Sequence, residues 1–334
     1  MHFTFLGTSG SVPSAVRDTT SIVVVVPEGA LLIDCGGSPV QKLRRAGVDP
    51  QALVSVVITH IHPDHAYGLP ALVRNLAVLG RQAPLTIHCR PEHVEPLRSL
   101  LSLFSTLERP GMFALTVRAI GLAEDAHAFD LGPLSVRTSP NEHGAMPNFA
   151  VRVDVTRRRS VVYSSDTRPC DAVVALARGA DTLVHDATYS ERDRGRAGGH
   201  AHSTAAEAGE VAARAGVRRL ILTHIGAEYH DEVDARGRDR ARARALSALR
   251  RVAPRRRRGG AGVPRETRRL QSEVACRHAR ADAMLTTRVP RGTPAPPRRR
   301  RGGPGVAATA AGRTAPTGRT PLSRRAGVRR SGFP

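Results

Sequence analysis

Cysteine is scarce in this 334-residue chain, and Cys35, Cys89, Cys170 and Cys276 show neither a paired rhythm nor a CxxC spacing. That excludes a disulfide framework and suits reduced thiols in a cytoplasmic protein. Long apolar runs are missing as well. SIVVVV and LVSVVI are strand-sized, whereas a membrane-spanning helix needs roughly 20 apolar residues. The opening MHFTFLGTSG has no basic stretch leading into an apolar one, so no secretory signal is expected.

Negative charge is what the C-terminal part lacks. From Arg236 onward there are 28 arginines, no lysine and four acidic residues, while residues 1–235 hold 23 basic and 25 acidic residues, a net of −2. A formal charge of +22 would by itself suggest a nucleic-acid binder. Here it belongs to the tail and says nothing about the rest. Beyond Pro254 the only aromatic residue is Phe333, among runs such as RRRRGG and PAPPRRRRGG. Such a segment cannot bury enough apolar surface to offset chain entropy, so residues 254–334 are expected to be a disordered basic tail. Three readings stay open: an arm that touches phosphates non-specifically, a solvated tail without a role, or a segment translated out of its ancestral frame. The folded part is expected to span 1–235, with a last basic helix reaching to about 253.

Within that part, short β-rich runs alternate with helical stretches. FTFLG, TSIVVVV, ALLID, SVVIT, PLTIH, LSVRT, FAVRVDV, SVVYSS, TLVHD and RLILTH read as strands. Helices are expected over 39–46, 66–79, 91–103, 169–178 and 203–215, the last opening on a capping box of Thr204 and Glu207. Nearly continuous apolar strands mixed with amphipathic helices predict a layered α/β fold with buried sheets. No internal repeat appears.

The chemistry concentrates in ITHIHPDH, residues 58–65. His60 and His62 alternate on extended backbone and share a side, and Asp64 and His65 follow on the turn into a helix. Imidazole and carboxylate are ligands for zinc and similar ions. Four donors in six residues exceed what one zinc needs, and adjacent Asp64 and His65 can hardly reach an ion held by His60 and His62. The spacing suggests two ions. Further donors are expected at strand ends, where His143, Asp166 and His224 each follow an apolar run. His2, His88, His93, His127, His185 and His230 have no partner spacing and read as ordinary histidines; His278 falls in the tail.

These motifs, together with FLGTSGSVPS, LLIDCGG, YSSDT, LVHDATY, HSTAAEA and LTH, resemble the metallo-β-lactamase superfamily and, within it, the ribonuclease Z branch, over residues 1 to about 230. The resemblance implies a four-layer αβ/βα sandwich and a homodimer. It implies one metal on His60, His62 and His143, a second on Asp64, His65 and His224, and Asp166 bridging them. Asp34 matches an aspartate supporting the metal loop, with Gly36 and Gly37 permitting the turn; the residues alone equally allow a plain strand-end aspartate. Two ions about 3.5–4 Å apart can share and activate a water for attack on phosphorus, with Asp64 orienting it. Asp186 and His202 then form a carboxylate–imidazole pair able to protonate the leaving oxygen, although the family has a glutamate where Asp186 stands. His200 carries no role.

Three departures bear on the substrate. The segment PSAVRD, residues 13–18, keeps a proline and Arg17, which can grip a phosphate bidentately. It has Ala15 for a lysine and Asp18 for an asparagine, which weakens RNA capture. The long RNA-clamping arm often found in the bacterial family is missing from the 22 residues between His143 and Asp166. The folded part's charge of −2 does not help a large polyanion bind, though Arg157, Arg158 and Arg159 form a local patch. The expected function is therefore a dinuclear zinc phosphodiesterase or endoribonuclease of ribonuclease Z type, acting on transfer-RNA precursors. The alternatives are a small-substrate diesterase, for instance for cyclic nucleotides, or a hydrolase of other esters or lactones. An RNA-binding protein with a decayed site is disfavoured, because all seven ligand positions are filled.

Overall fold

The computed structural model describes residues 2–230 except 108, 109, 122, 157 and 158. The expected continuation of the last helix towards 253, the Arg-rich tail, Cys276 and the Arg157–Arg158 pair lie outside the described residues. Strands β1 (His2–Gly7), β2 (Ser21–Val26), β3 (Gly29–Ile33), β4 (Leu53–Val57), β5 (Leu85–Cys89) and β6 (Leu115–Ala119) form one sheet in chain order. Strands β7 (Ala126–Leu131), β8 (Leu134–Pro140), β9 (Phe149–Thr156), β10 (Arg159–Tyr163), β11 (Thr182–Asp186) and β12 (Arg219–Thr223) form the second, also in chain order. Each sheet starts with antiparallel pairs and finishes with parallel ones.

Side chains alternate across a strand, so the apolar runs bury both faces. Ile22, Val24, Leu31, Ile33 and Val57 meet Val136, Val151, Val153, Val161, Tyr163 and Val184 between the sheets. The intervening Val23, Leu32 and Val56 face outward and pack on α1 (Pro39–Arg45), α3 (Leu69–Val78) and α4 (Val94–Leu103) through Leu43, Leu72, Leu76 and Leu97. On the second sheet, Ala150, Val162 and Leu183 pack on α5 (Asp171–Ala177) and α7 (Ala205–Ala215) through Val173, Leu176, Val211 and Ala212. This is the expected αβ/βα sandwich. The described cysteines, Cys35, Cys89 and Cys170, are buried free thiols. Among the described residues no helix is long and apolar enough to cross a membrane.

All ten expected strands form. The expected capping box does too: Thr204 Oγ1 accepts from the Glu207 N–H (3.2 Å) and Glu207 Oε2 accepts from the Thr204 N–H (2.8 Å). The helix expected over 66–79 forms as α3 alone, and Ala66 instead ends a separate short helix, α2 (Pro63–Ala66). Pro70 lacks an N–H and cannot continue a helix from α2, and the Gly68 N–H is already spent on the Cys35 carbonyl at 2.8 Å. The break turns α2 into a single turn that carries Asp64 and His65. Two strands, β6 and β7, and the short α6 (Arg194–Gly199) lack a sequence signal. Both strands are sheet edges with largely half-exposed side chains, so their apolar alternation is weak. The β9–β10 hairpin occupies most of the connection from His143 to Asp166, which leaves no room there for an arm.

Candidate metal centre

Strand ends and the loops just beyond them supply the site. His60 and His62 follow β4, His143 follows β8, Asp166 follows β10 and His224 follows β12. Asp34 follows β3 and Asp186 ends β11. Four residues here hold positive φ without being glycine: Asp34 (60°), Ser165 (54°), Ala201 (57°) and His224 (57°). Such backbone is uncommon for residues with a Cβ and clusters where surrounding structure imposes it. It turns each chain sharply at the sheet edge and aims Asp34, Asp166 and His224 at one space.

The donors fall into two sets. His62 Nδ1 is 3.0 Å from His60 Nε2 and 3.2 Å from His143 Nε2. Asp166 Oδ2 is 3.7 Å from the His60 nitrogen and 4.0 Å from that of His143. On the other side, His224 Nε2 lies 3.2 Å from Asp64 Oδ2 and 3.1 Å from Asp166 Oδ2. His65 Nε2 is 3.4 Å from the Asp64 oxygen and 3.3 Å from the Asp166 oxygen. Each set packs its ligand atoms within 4.8 Å of one another, and Asp166 belongs to both. The structure therefore brings together all seven residues singled out from the sequence, divided as the resemblance implies.

Most of these histidines are held by the ring nitrogen that faces away from the cluster, which sets the tautomer of a ligand. His65 Nδ1 is 2.8 Å from Asp34 Oδ2, and His143 Nδ1 is 3.1 Å from the Ala201 carbonyl. His60 Nδ1 is 3.2 Å from Thr59 Oγ1. The Thr59 hydroxyl donates to Asp34 and accepts from Ser165 Oγ (2.8 Å), so it is free to accept from His60. Asp34 also accepts from the Thr59 N–H (2.9 Å) and the Tyr163 hydroxyl (3.2 Å). The strand-end aspartate is thus a buried brace joining β3, β4, α2 and β10.

The electrostatics suit cations. Burial holds His60 well below its ordinary pKa, and lowers His62 and His143 too, leaving neutral imidazoles with free lone pairs. Burial opposes ionisation of Asp64, but the neighbouring His224 and His65 imidazoles outweigh it and hold the carboxyl low. Burial likewise opposes ionisation of Asp166, yet His224, His65 and His60 keep it well below its usual range. At His65 burial is overcome by Asp166 and Asp34, which raise its affinity for positive charge. His65 Nε2 and Asp166 Oδ1 are buried without a hydrogen-bond partner. Buried polar atoms are rarely left so. Neutral imidazoles, ionised carboxylates and orphaned ligand atoms together fit divalent metal ions.

Beside this cluster, His202 Nδ1 is 2.7 Å from Asp186 Oδ2. Burial opposes its charge, but Asp186 pushes the imidazole up to about 9. Arg17 is half-buried, its Nη1 donating to Thr8 Oγ1 at 2.5 Å. Asp18 sits 3.7 Å from the buried Lys42 ammonium, so its negative charge is partly matched. The loop instead brings Ser11 to the cluster, its Oγ 3.3 Å from Asp64 Oδ2, while Gly10 packs over the His224 ring. Ser11, Thr59, Ser165 and Tyr163 lie within FLGTSGSVPS, ITHIHPDH and YSSDT, but the sequence assigns none of them a role of its own. His200 stays outside both donor sets and pairs with the Tyr189 hydroxyl.

A family model described as a β-lactamase superfamily domain matches residues 30–225. The chain is 32% identical over 271 residues to the ribonuclease Z of Methanothermobacter thermautotrophicus, covering 69% of this chain and 88% of that protein. It is 33% identical over 269 residues to the ribonuclease Z of Gemmatimonas aurantiaca, covering 67% of this chain and 85% of that protein. Among solved structures, the short form of human tRNase Z superposes with a TM-score of 0.61 at 26% identity, covering 68% of this chain and 94% of that one.

Proposed function

The chain belongs to the ribonuclease Z family of the β-lactamase superfamily, and from that premise we propose that this metal-dependent endoribonuclease cuts transfer-RNA precursors on their 3′ side. The observation that carries the reading is Asp166 Oδ2, shared by a His60–His62–His143 set and an Asp64–His65–His224 set. The first three histidines would hold one ion and Asp64, His65 and His224 the other, with Asp166 between. Zinc is the ion these nitrogen and carboxylate donors favour. When bound, two such ions supply an activated water and neutralise charge on the phosphate oxygens.

The chain's own groups do the rest. Asp34 orients His65, and Asp64 accepts from Ser11 while facing both His65 and His224. With Nδ1 donated to Asp186, His202 presents its other nitrogen as a proton donor for the leaving oxygen. Arg17 is assigned to substrate binding, where a phosphate would compete with Thr8 for its guanidinium. Homodimeric assembly, a cytoplasmic location and non-specific phosphate contacts from the Arg-rich tail belong to the same proposal.

The missing arm between His143 and Asp166 and the −2 charge of residues 1–235 favour a second substrate class, small phosphodiesters. One experiment separates the two. Purified protein, whole and truncated after residue 235, is assayed on precursor tRNA and on bis(p-nitrophenyl) phosphate. Precursor cleavage that disappears on chelation and in His60→Ala supports the proposal. Hydrolysis of the small diester alone would overturn it.

A further inference from the structure

We propose that the Thr188 hydroxyl is a positioning group that locks the metal ligand His224 and the Asp186–His202 pair into one hydrogen-bonded unit. The inference rests on the two-metal, His202-donor reading above and adds a residue to it.

The sheet register creates the meeting point. β11 and β12 are parallel neighbours with Asp186 opposite Thr223, so Asp186 and His224 leave adjacent strands at the same edge. Thr188 follows two residues after Asp186 and is buried. Its backbone is pinned on both sides: its N–H donates to Asp186 Oδ1 (2.9 Å), and its carbonyl accepts from the Gly226 N–H (3.1 Å). Its Oγ1 lies 2.7 Å from Asp186 Oδ1, 2.7 Å from His224 Nδ1 and 3.2 Å from His202 Nδ1.

Proton counting fixes the directions. A hydroxyl has one proton and two lone pairs, and an ionised carboxylate only accepts. Thr188 therefore donates to Asp186 and accepts from His224 Nδ1–H. That leaves the Nε2 lone pair of His224 facing the Asp64 and Asp166 oxygens at 3.2 and 3.1 Å. On the Asp186 side, Thr188 occupies Oδ1 through both its N–H and its hydroxyl, so Oδ2 is the oxygen left for His202 Nδ1 and the Thr167 N–H (2.9 Å). One hydroxyl thereby sets the tautomer of a ligand and the angle of the proton donor.

The test compares wild type, Thr188→Val, Thr188→Ser and His202→Ala, each checked for native circular dichroism. Metal retained per chain is measured by elemental analysis after dialysis against graded chelator. Turnover is measured at saturating zinc on precursor tRNA and on bis(p-nitrophenyl) phosphate, whose leaving group needs no proton. Thr188→Val is expected to release one of its two ions at about 10–100-fold lower chelator. With zinc restored it should recover on the nitrophenyl diester but stay slow on RNA, as His202→Ala does. Thr188→Ser should restore both metal retention and RNA cleavage. Unchanged metal retention in Thr188→Val, full recovery on RNA with zinc, or failure of Thr188→Ser to rescue would each overturn the proposal. A wild type that holds fewer than two ions, or leaves RNA uncut, fails the underlying reading instead, and that result is visible before any variant is compared.

Discussion

Replacing the Asp34 carboxylate by an amide (Asp34→Asn) is expected to weaken metal binding about 10–100-fold although Asp34 lies in neither donor set. Its oxygens accept from the Thr59 N–H and hydroxyl, His65 Nδ1 and the Tyr163 hydroxyl. An amide nitrogen there would face donors, leaving one buried group unpaired at a cost of about 1–3 kcal/mol. Competition with a chromophoric chelator reads the first effect and urea unfolding the second. Unchanged metal retention would show that His65 is oriented by something else. At this scale the candidate donors were legible because histidine and aspartate crowd into ITHIHPDH and recur after strands. Their braces were not, because Thr59, Ser165 and Thr188 are common residue types whose partners lie on other strands.

Elements position these side chains through two features with different costs. The β3–α1 loop passes so close to α2 that a methyl on Gly36 would sit 1.9 Å from the Asp64 carbonyl oxygen and 2.4 Å from Thr19 Oγ1. Gly36→Ala must push α2 away, so loss of metal binding is expected together with about 1–3 kcal/mol of stability from overpacking. Thr204→Ala removes the capping-box hydroxyl of α7, which also donates to Glu191 Oε2 at 2.9 Å. It should cost about 1 kcal/mol in the denaturant midpoint while leaving both donor sets intact, since α7 contributes no ligand. The box was readable because its two residues are three apart in the chain. The α2–α3 break was only half readable: Pro70 warned of it, but the Cys35 carbonyl that takes the Gly68 N–H comes from another loop.

The whole molecule should show a pH dependence of stability that originates on β5, outside both donor sets, at a residue whose carbonyl accepts from the Ile58 N–H at 2.9 Å. His88, on β5, stacks on Phe129 of β7 with ring centroids 3.8 Å apart, opposite Arg118 of β6. Burial, helped by Arg118, pushes its pKa down to about 4 from an ordinary 6.5. Between those values the unfolded chain binds the proton and the folded chain does not. Stability from this residue is therefore complete above pH 6.5 and declines as pH falls towards 4, by about 3 kcal/mol at 1.36 kcal/mol per unit. Urea midpoints for wild type and His88→Leu between pH 7 and 4 check this, and the variant's curve should fall less steeply by that amount. A parallel pair of curves would count against it.

Local sequence alone determined ten of the twelve described strands, whose branched apolar runs bury on both faces, the capping box of α7, and which seven histidines and aspartates are candidates for the metal centre. It also separated an Arg-rich segment from a near-neutral remainder, since charge and composition need no fold to be counted. Tertiary structure decided what depends on contacts between distant strands: the distances at which Asp166, the bridge the resemblance implies, meets both donor sets, and the bond from His65 Nδ1 by which Asp34, matched to a supporting aspartate, does its bracing. It also decided that Ser11 lies against Asp64, and that the Thr188 hydroxyl meets His224 across the β11–β12 register. Hydrogen bonds act over about 3 Å, and only the folded sheets bring residues so far apart in the chain to that distance.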